Sequence, residues 1–479
     1  MSETSHAIGS ILVSIIEHLY PKTFELSRGS LERFMLERVL GRIFVMSQRL
    51  FRREQNDRWL RSGLLLLCGL LLVTTASCGE FGGTRDRRSV VEFWTMQLQP
   101  QYTEYFDRLI SQFEIEHPTV RIDWVDVPWS GMESKILTAV AAKTAPDVVN
   151  LNPGFASQLA SKGAWLDLSD RIPLVQQQQY LPKIWDASTI DGRTFGIPWY
   201  LTTRITLYNR DLWTKAGFDR PPGDFAGLMA AARQMKAKTG KYAFFTTVVP
   251  TDSGEILESM VQRGMSLVDG DRKAAFDTPL GRQVFGDWVR LYQENLVPKE
   301  VLTEGYRYGL DLYQRGETGL VSANPDFLKT LLKNAPTIAE ATIAVPQITA
   351  ETGKRNVAVM NLVIPKDTDQ PEAALQFALF VANNEHQLTF AKAANVLPST
   401  QAALSDPQFS QLPENPSAVD RARLVSARQL ESAEVLVPAM KDLKRLQKTL
   451  YESLQSAMLG QKEVDRALQD AARIWNEGG

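Results

Sequence analysis

The pattern of residues 90–151 limits the fold more than any other feature of this sequence. Apolar residues recur at i, i+3, i+4 and i+7 between residues 102 and 117, which predicts an amphipathic helix. Alternating apolar residues predict strands on either side of it, and a second helix and a short apolar strand follow. Strands that alternate with helices form a parallel sheet with right-handed crossovers. The sequence therefore predicts an α/β fold.

Aromatic and amide side chains follow the three predicted strands. Trp94, Trp129 and Asn152 come at or just after the strand ends, where open α/β sheets bind their ligands. Rings can cover the apolar faces of a sugar while amides bond its hydroxyls, so the pattern favours a sugar site. The alternative is that either tryptophan packs beneath a loop. No glycine-rich dinucleotide fingerprint and no phosphate-binding P-loop is present.

The stretch at residues 192–210 separates this unit from the rest of the chain. It begins as a turn, contains Pro198 followed by Trp199 and Tyr200, and continues as an alternating strand. With 479 residues, the chain exceeds what one hydrophobic core usually serves. We therefore predict that this stretch crosses between two lobes and carries its rings at the cleft edge. A plain buried strand would give the same pattern.

Strand and helix patterns continue beyond the crossing. Predicted strands at residues 242–249 and 318–323, with helices between them, indicate a second α/β lobe. A strand at residues 357–364 is placed to return toward the first lobe. Helices at residues 443–458 and 464–475 end the chain, with Gly460 as the break between them.

A basic, then leucine-rich, then small-residue segment precedes this body. Residues 63–73 are too short to span a bilayer as a helix, and the whole pattern is typical of a secretory signal. Cys78, which directly follows the small residues, resembles the lipidated cysteine of a bacterial lipobox, although Thr75 stands where leucine is preferred. An uncleaved anchor is the alternative. We favour translation from Met46 over a cytosolic helix near the first residue.

The composition excludes several classes of function. The net charge of −2 gives no electrostatic support for a nucleic-acid partner. The only cysteines are Cys68 and Cys78, so the body can contain neither a disulfide nor a reactive thiol. The four histidines lack the spacing of metal ligands. We expect no cofactor and no metal site.

Four groups of short stretches occur in a defined order after residue 90. They are Ala145-Pro146-Asp147-Val148-Val149, then Gly196-Ile197-Pro198 with Tyr208-Asn209-Arg210-Asp211-Leu212, then Gly316-Glu317-Thr318-Gly319 with Asn324-Pro325, and Pro371-Glu372-Ala373-Ala374 with Val396-Leu397-Pro398. In this order they resemble the extracellular solute-binding proteins of the carbohydrate class, the substrate-binding lipoproteins of bacterial ABC sugar importers. Ala358-Val359-Met360-Asn361 departs from the glycines of many relatives.

This resemblance implies a periplasmic-binding-protein fold, in which two α/β lobes are joined by crossing strands around a ligand cleft, with a helical C-terminal part. We expect an N-terminal extension and signal at 1–77, a tether at 78–89, lobes at 90–200 and 201–355, and a return strand with helices packing across both lobes at 356–479. The resemblance also implies hinge closure on ligand without chemistry and delivery to the transmembrane subunits of an ABC permease. It implies a monomer in the periplasm, held to the membrane only by lipid on Cys78.

The resemblance assigns ligand contacts by position. The expected residues are Trp94, Trp129, Asn152, Trp199, Tyr200, Thr202, Asn324, Asp326 and Asn361. Rings would stack on the sugar, and amide and carboxylate groups would bind its hydroxyls.

Other functions remain open at this point. A glycerol phosphate or its diester could be held by Arg204 or Arg307, whereas a polyamine would need several cleft carboxylates, for which only Asp252 and Asp326 are placed. A secreted hydrolase would need two carboxylates flanking the scissile bond or a suitably placed histidine, and the sequence indicates neither. A structural or adhesive lipoprotein is the remaining alternative.

Overall fold

The structure is a computed structural model that describes residues 88–437, 440 and 442–478. The predicted signal segment and Cys78 lie outside the described residues. The strands are β1 (Ser89–Met96), β2 (Val120–Val127), β3 (Val148–Leu151), β4 (Thr189–Ile190), β5 (Arg193–Thr194), β6 (Ile197–Thr203), β7 (Ile205–Asn209), β8 (Leu320–Ala323), β9 (Thr342–Val345), β10 (Arg355–Val363), β11 (Leu397–Pro398) and β12 (Ala433–Glu434).

The α-helices are distributed along the whole described chain. They are α1 (Thr103–Glu116), α2 (Trp129–Ala142), α3 (Pro153–Ala160), α4 (Leu174–Gln177), α5 (Pro182–Asp186), α6 (Arg210–Ala216), α7 (Phe225–Thr239), α8 (Glu255–Gln262), α9 (Pro279–Gln293), α10 (Tyr306–Gln314), α11 (Phe327–Asn334), α12 (Pro336–Ala341), α13 (Pro371–Val381), α14 (Asn384–Ala394), α15 (Gln401–Leu404), α16 (Ala418–Gln429), α17 (Leu443–Met458) and α18 (Val464–Glu477). Short 3₁₀ turns occur at Lys299–Leu302, Pro407–Phe409 and Leu430–Ser432.

The larger sheet forms the frame of the first lobe. Its strand order is β11-β6-β10-β3-β1-β2, and β12 pairs with one end of β10. β1 pairs in parallel with both β2 and β3, as the alternation of strands and helices predicted. β10 runs antiparallel between β3 and β6. The returning chain therefore completes the sheet that the N-terminal half begins.

A smaller antiparallel sheet, β8-β7-β9, forms the frame of the second lobe. The predicted strand at residues 242–249 is not part of this sheet. Tyr242 makes a single bridge to Thr318, and by Val248 the chain has turned away to bond the carbonyl of Val301. That prediction is wrong, because an apolar run also fits a buried extended segment that forms no ladder.

Each lobe has a hydrophobic core of its own, and the C-terminal residues are divided between the two. In the first core, Phe93 of β1 packs edge-on against Phe377 of α13, with 5.1 Å between ring centroids. In the second core, Trp213 and Phe285 are fully buried together with Tyr451 of α17. α13 and α14 thus belong to the first lobe, and α17 and α18 to the second.

The chain passes directly from one sheet to the other between β6 and β7. β6 pairs within the larger sheet and β7 within the smaller, and only Arg204 separates them. This is the position at which the sequence predicted a crossing between lobes.

Candidate functional site

A cavity of about 680 Å³ lies between the two lobes. The first lobe supplies one wall with the beginning of α3, and the second supplies another with residues 250–254 and α8. Arg204 and residues 356–358, which belong to the crossing strands and their neighbours, line it near the junction of the sheets. Val435, Val437 and the beginning of α17 complete the lining.

Asn152 fixes the first-lobe wall at the carboxyl end of β3. As the N-cap of α3, it accepts a hydrogen bond at Oδ1 from the backbone N–H of Phe155, at 2.9 Å. Pro153 at the first helical position has no N–H to leave unsatisfied, so the helix starts sharply at this point. The Asn152 amide and the Phe155 ring are thereby both presented at the cavity.

Arg204 stands where the two sheets meet. Its guanidinium forms an ion pair with Glu255 of α8 and lies 4.6 Å from the ring centroid of Tyr306. Gln429 donates from Nε2 to the Arg204 carbonyl at 2.7 Å, which fixes the backbone as well. The positive charge is therefore already engaged by a carboxylate and an aromatic face.

Glu258 and Asp252 are two further carboxylates near the pair of Arg204 and Glu255. Burial raises the pKa of Glu255 to about 7; Arg204 opposes that rise, whereas Glu258 and Asp252 add to it. Burial also raises the pKa of Glu258, against the lowering effect of Arg204. Asp252 accepts from the Tyr306 backbone N–H at 2.7 Å. These acids, which all face one arginine, make the second-lobe wall rich in hydrogen-bond acceptors.

Glu258 also borders a smaller cavity of about 110 Å³ inside the second lobe. Arg204 and Glu258 line both cavities, so the smaller one adjoins the larger. Its remaining wall mixes polar, aliphatic and aromatic residues, and the aromatic ones are Phe225, Phe244, Phe245 and Trp288.

α17 supports the second-lobe wall and also reaches the first lobe. Gln447 donates from Nε2 to the carbonyls of Pro250 and Ser253, at 3.1 and 3.2 Å. At the beginning of the same helix, Lys444 forms an ion pair with Glu133 of α2 and lies 5.2 Å from the Phe155 ring centroid. Lys444 therefore touches two first-lobe elements.

The adjacent rings of β6 lie in the first-lobe core and not in the cavity. Trp199 is fully buried and stacks on Phe390 of α14, with centroids 4.8 Å apart. Tyr200 packs on the same ring at 5.3 Å. Against β10, Pro198 pairs with Asn361 and Tyr200 with Met360, so Trp199 is the extra residue of a β-bulge. Because a bulge interrupts the alternation of side chains, both rings enter the core.

The remaining predicted aromatics lie at the strand ends. Trp94 is buried; its Nε1 donates to Glu92 at 2.7 Å, and the Lys135 ammonium lies 3.8 Å from its ring centroid. Trp129 is the first residue of α2 and keeps 38% of its surface exposed. Of the two, only Trp129 has a ring open to a ligand without rearrangement.

The predicted amides and the hydroxyl are spread over both lobes. Asn361 is buried, accepting from Ser188 Oγ at 2.6 Å and donating to the Val359 carbonyl at 3.0 Å, so its amide is used within the fold. Thr202 is half-buried and pairs with Ala358, which lines the cavity. Asn324 is exposed and accepts from the Phe327 N–H at 3.2 Å.

Asp326 lies near the first lobe although it belongs to the second. It forms an ion pair with Lys329 at 2.8 Å, and it adds to the effect of burial, which raises the pKa of Tyr102 to about 12. Of the nine predicted ligand residues, Asn152 alone lines the large cavity. Sequence reasoning missed Glu258 and Gln447 as cavity residues, and no local motif marks either of them.

Residues 88–437, 440 and 442–478 contain neither a cluster of metal ligands nor a membrane-spanning helix. No group of three or more His, Cys, Asp or Glu side chains there is placed to hold a metal ion. No helix in this part of the chain is both long and apolar enough to cross a membrane.

The chain is similar to several solved structures and curated proteins. A Synechococcus sp. MITs9220 protein, proposed to be an oligosaccharide periplasmic-binding protein, is 44% identical, with a TM-score of 0.76, and the match covers 81% of this chain and 98% of that one. The cyclic α-maltosyl-1,6-maltose binding protein of Arthrobacter globiformis has a TM-score of 0.66 at 21% identity, over 81% of this chain and 98% of that one. The mannitol-binding protein of Pseudomonas aeruginosa is 23% identical over 62% of this chain and 70% of its own length.

These likenesses confirm the predicted fold of two α/β lobes with a helical C-terminal part. The model of the bacterial extracellular solute-binding protein family matches residues 99–388, which is more than half of the sequence. The chain belongs to the family of bacterial extracellular solute-binding proteins.

Proposed function

We propose that this protein captures a neutral carbohydrate between its lobes, outside the cytoplasm, and delivers it to the permease of an ABC importer. The observation that carries the proposal is the cavity of about 680 Å³ lined by both lobes and by the crossing strands. Its volume lies within the range of ordinary small-molecule sites, roughly 300–1,000 Å³. Asn152, Glu258 and Gln447 offer the mixture of donors and acceptors that sugar hydroxyls require.

The charge distribution argues against a phosphorylated ligand. The cations that line the cavity are Arg204, Lys444 and Lys448, and each is already paired with a carboxylate, of Glu255, Glu133 and Glu452 respectively. A phosphate approaching Arg204 would also come close to Asp252, whose negative charge adds to the rise in the pKa of Glu255, and like charges at short distance repel each other. Uncharged hydroxyls can use the same carboxylates as acceptors without this repulsion.

The proposed role requires binding without turnover. Glu255 and Glu258 come from one helix on one wall, and Glu133, on the opposite wall, is occupied by Lys444. A glycosidase needs two free carboxylates on either side of the bond it cleaves.

We further propose that the protein is a monomer, anchored by lipid at Cys78.

A thermal-shift screen of the full chain tests the proposal. Neutral mono- and oligosaccharides are compared with glycerol phosphates and polyamines, and the supernatants are analysed for cleavage. We expect a neutral sugar, at about 100 times its dissociation constant, to stabilise the protein by roughly 2.7 kcal/mol without products. Stabilisation by phosphorylated ligands alone, or release of cleavage products, would overturn the proposal.

A further inference from the structure

The ion pair between Glu133 and Lys444 joins two separately packed parts of the molecule. Glu133 belongs to α2, whose Met132 and Ile136 are fully buried in the first-lobe core. Lys444 belongs to α17, whose Leu446 is fully buried in the second-lobe core. Neither residue can follow the other if the lobes separate. The contact therefore exists only while the lobes are close together.

The surroundings of the pair place it at the ligand cavity. Glu133, Lys444 and Phe155 all line that cavity, and the Lys444 ammonium also lies 5.2 Å from the Phe155 ring. The chain connection between the lobes at Arg204 lines the cavity too. A contact that joins the lobes away from their chain connection acts against opening about that connection.

We propose that Glu133 and Lys444 form an interlobe latch that holds the empty protein partly closed and slows the release of bound ligand. Their side chains keep 36% and 45% of their surface exposed, so the latch is weak and screened by salt. A weak latch suits a receptor that has to open again. Asp191 and Arg272, 2.9 Å apart and more exposed, join the lobes elsewhere and add a smaller effect.

The latch is tested by measuring the distance between the lobes without ligand. In the full chain, Cys68 and Cys78 are replaced by serine, and dyes are attached to cysteines introduced at the exposed Leu174 and Leu459, one on each lobe. We expect Lys444→Met to lower the energy-transfer efficiency of the ligand-free protein. In 1 M salt, where charges are screened within roughly 3 Å, the unsubstituted protein should approach the variant.

A charge swap distinguishes attraction between the two charges from a merely structural role of either side chain. The double variant Glu133→Lys with Lys444→Glu should restore the efficiency that either single change lowers. Lys392→Met is the matched control, because Lys392 pairs with Asp406 at similar exposure, away from the cavity and from the lobe junction. An unchanged energy-transfer efficiency in Lys444→Met, or an efficiency that stays low in the double variant, would overturn the proposal.

The effect on ligand release rests on the proposed function. For a sugar identified by thermal shift, Lys444→Met should speed dissociation roughly two- to fivefold, the range expected of a part-exposed ion pair. An unchanged dissociation rate would contradict this part. If no sugar binds at all, the proposed function fails, whereas the energy transfer of the ligand-free protein still decides whether the latch exists.

Discussion

Trp199 illustrates why single residues of the site were hard to assign from sequence. The pair Trp199-Tyr200 follows Pro198 where a crossing strand was predicted, and the strand is there. Regular alternation would send one ring to each face, but the bulge opposite Met360 and Asn361 sends both into the core. No local pattern in the sequence marks the bulge.

Trp199→Ala should therefore act on stability. Removing a fully buried ring that stacks on Phe390 is expected to lower the free energy of unfolding by about 3–5 kcal/mol, measured by urea denaturation. The matched change Trp129→Ala removes a ring that is 38% exposed and should cost less than about 1 kcal/mol. Equal stability losses in the two variants would contradict this assignment.

Glu255 should give the protein a measurable dependence on pH. Its pKa is raised from 4.5 to about 7 in the folded protein, so between these values the native state holds a proton that the unfolded chain has released. The stability due to this group is complete below about pH 4.5 and is lost as the pH rises through 7. Glu255→Gln should reduce the loss of unfolding free energy between pH 5 and pH 7.5 by about 1–3 kcal/mol.

A second carboxylate serves as the control for that measurement. Hydrogen bonding from Arg233 lowers the pKa of Glu294, so its titration falls below this pH window. Glu294→Gln should leave the change in stability between pH 5 and 7.5 as it is. Parallel curves for Glu255→Gln and the unsubstituted protein would show that Glu255 does not titrate in this range.

At the scale of elements, the sequence predicted those strands and helices whose apolar residues recur with a regular local period. The pattern of β1, α1, β2, α2 and β3 was predicted in order, and the last two helices were placed within two residues of their observed ends. The apolar run at residues 242–249 was wrongly predicted to be a strand, because a buried, extended segment is a strand only if it pairs with another one. Pairing partners decide that, and they lie far away in sequence.

Helix α9 shows how tightly one element can fit its neighbours. A Cβ atom at Gly281 would lie 1.9 Å from the carbonyl oxygen of Phe276, whereas at Gly286 the nearest atom, Nη1 of Arg290, is 3.6 Å away. Gly281→Ala should lower the free energy of unfolding by about 1–3 kcal/mol. Gly286→Ala should raise it by up to about 1 kcal/mol, because alanine favours the helix. Chemical denaturation of both variants checks the contrast, and a gain at Gly281 would contradict it.

At the scale of the whole molecule, the crossing at Arg204 organises both the fold and the site. It connects the two sheets, and its side chain lies where both lobes and α17 meet around the cavity. The sequence predicted the two lobes and the crossing from periodicity, chain length and the order of the motifs. It could not predict the cavity walls, because Glu133, Glu258 and Lys444 come from distant segments without any shared pattern.

A crystal structure of the protein with a neutral sugar that stabilises it would test most directly whether the ligand binds between the lobes. We expect sugar density in the cavity between α3 and α8, with hydroxyls within hydrogen-bond distance of Asn152 and Glu258 and without displacement of Trp199 from the core. Sugar density outside this cavity, with the cavity empty, would show that the protein binds its ligand elsewhere.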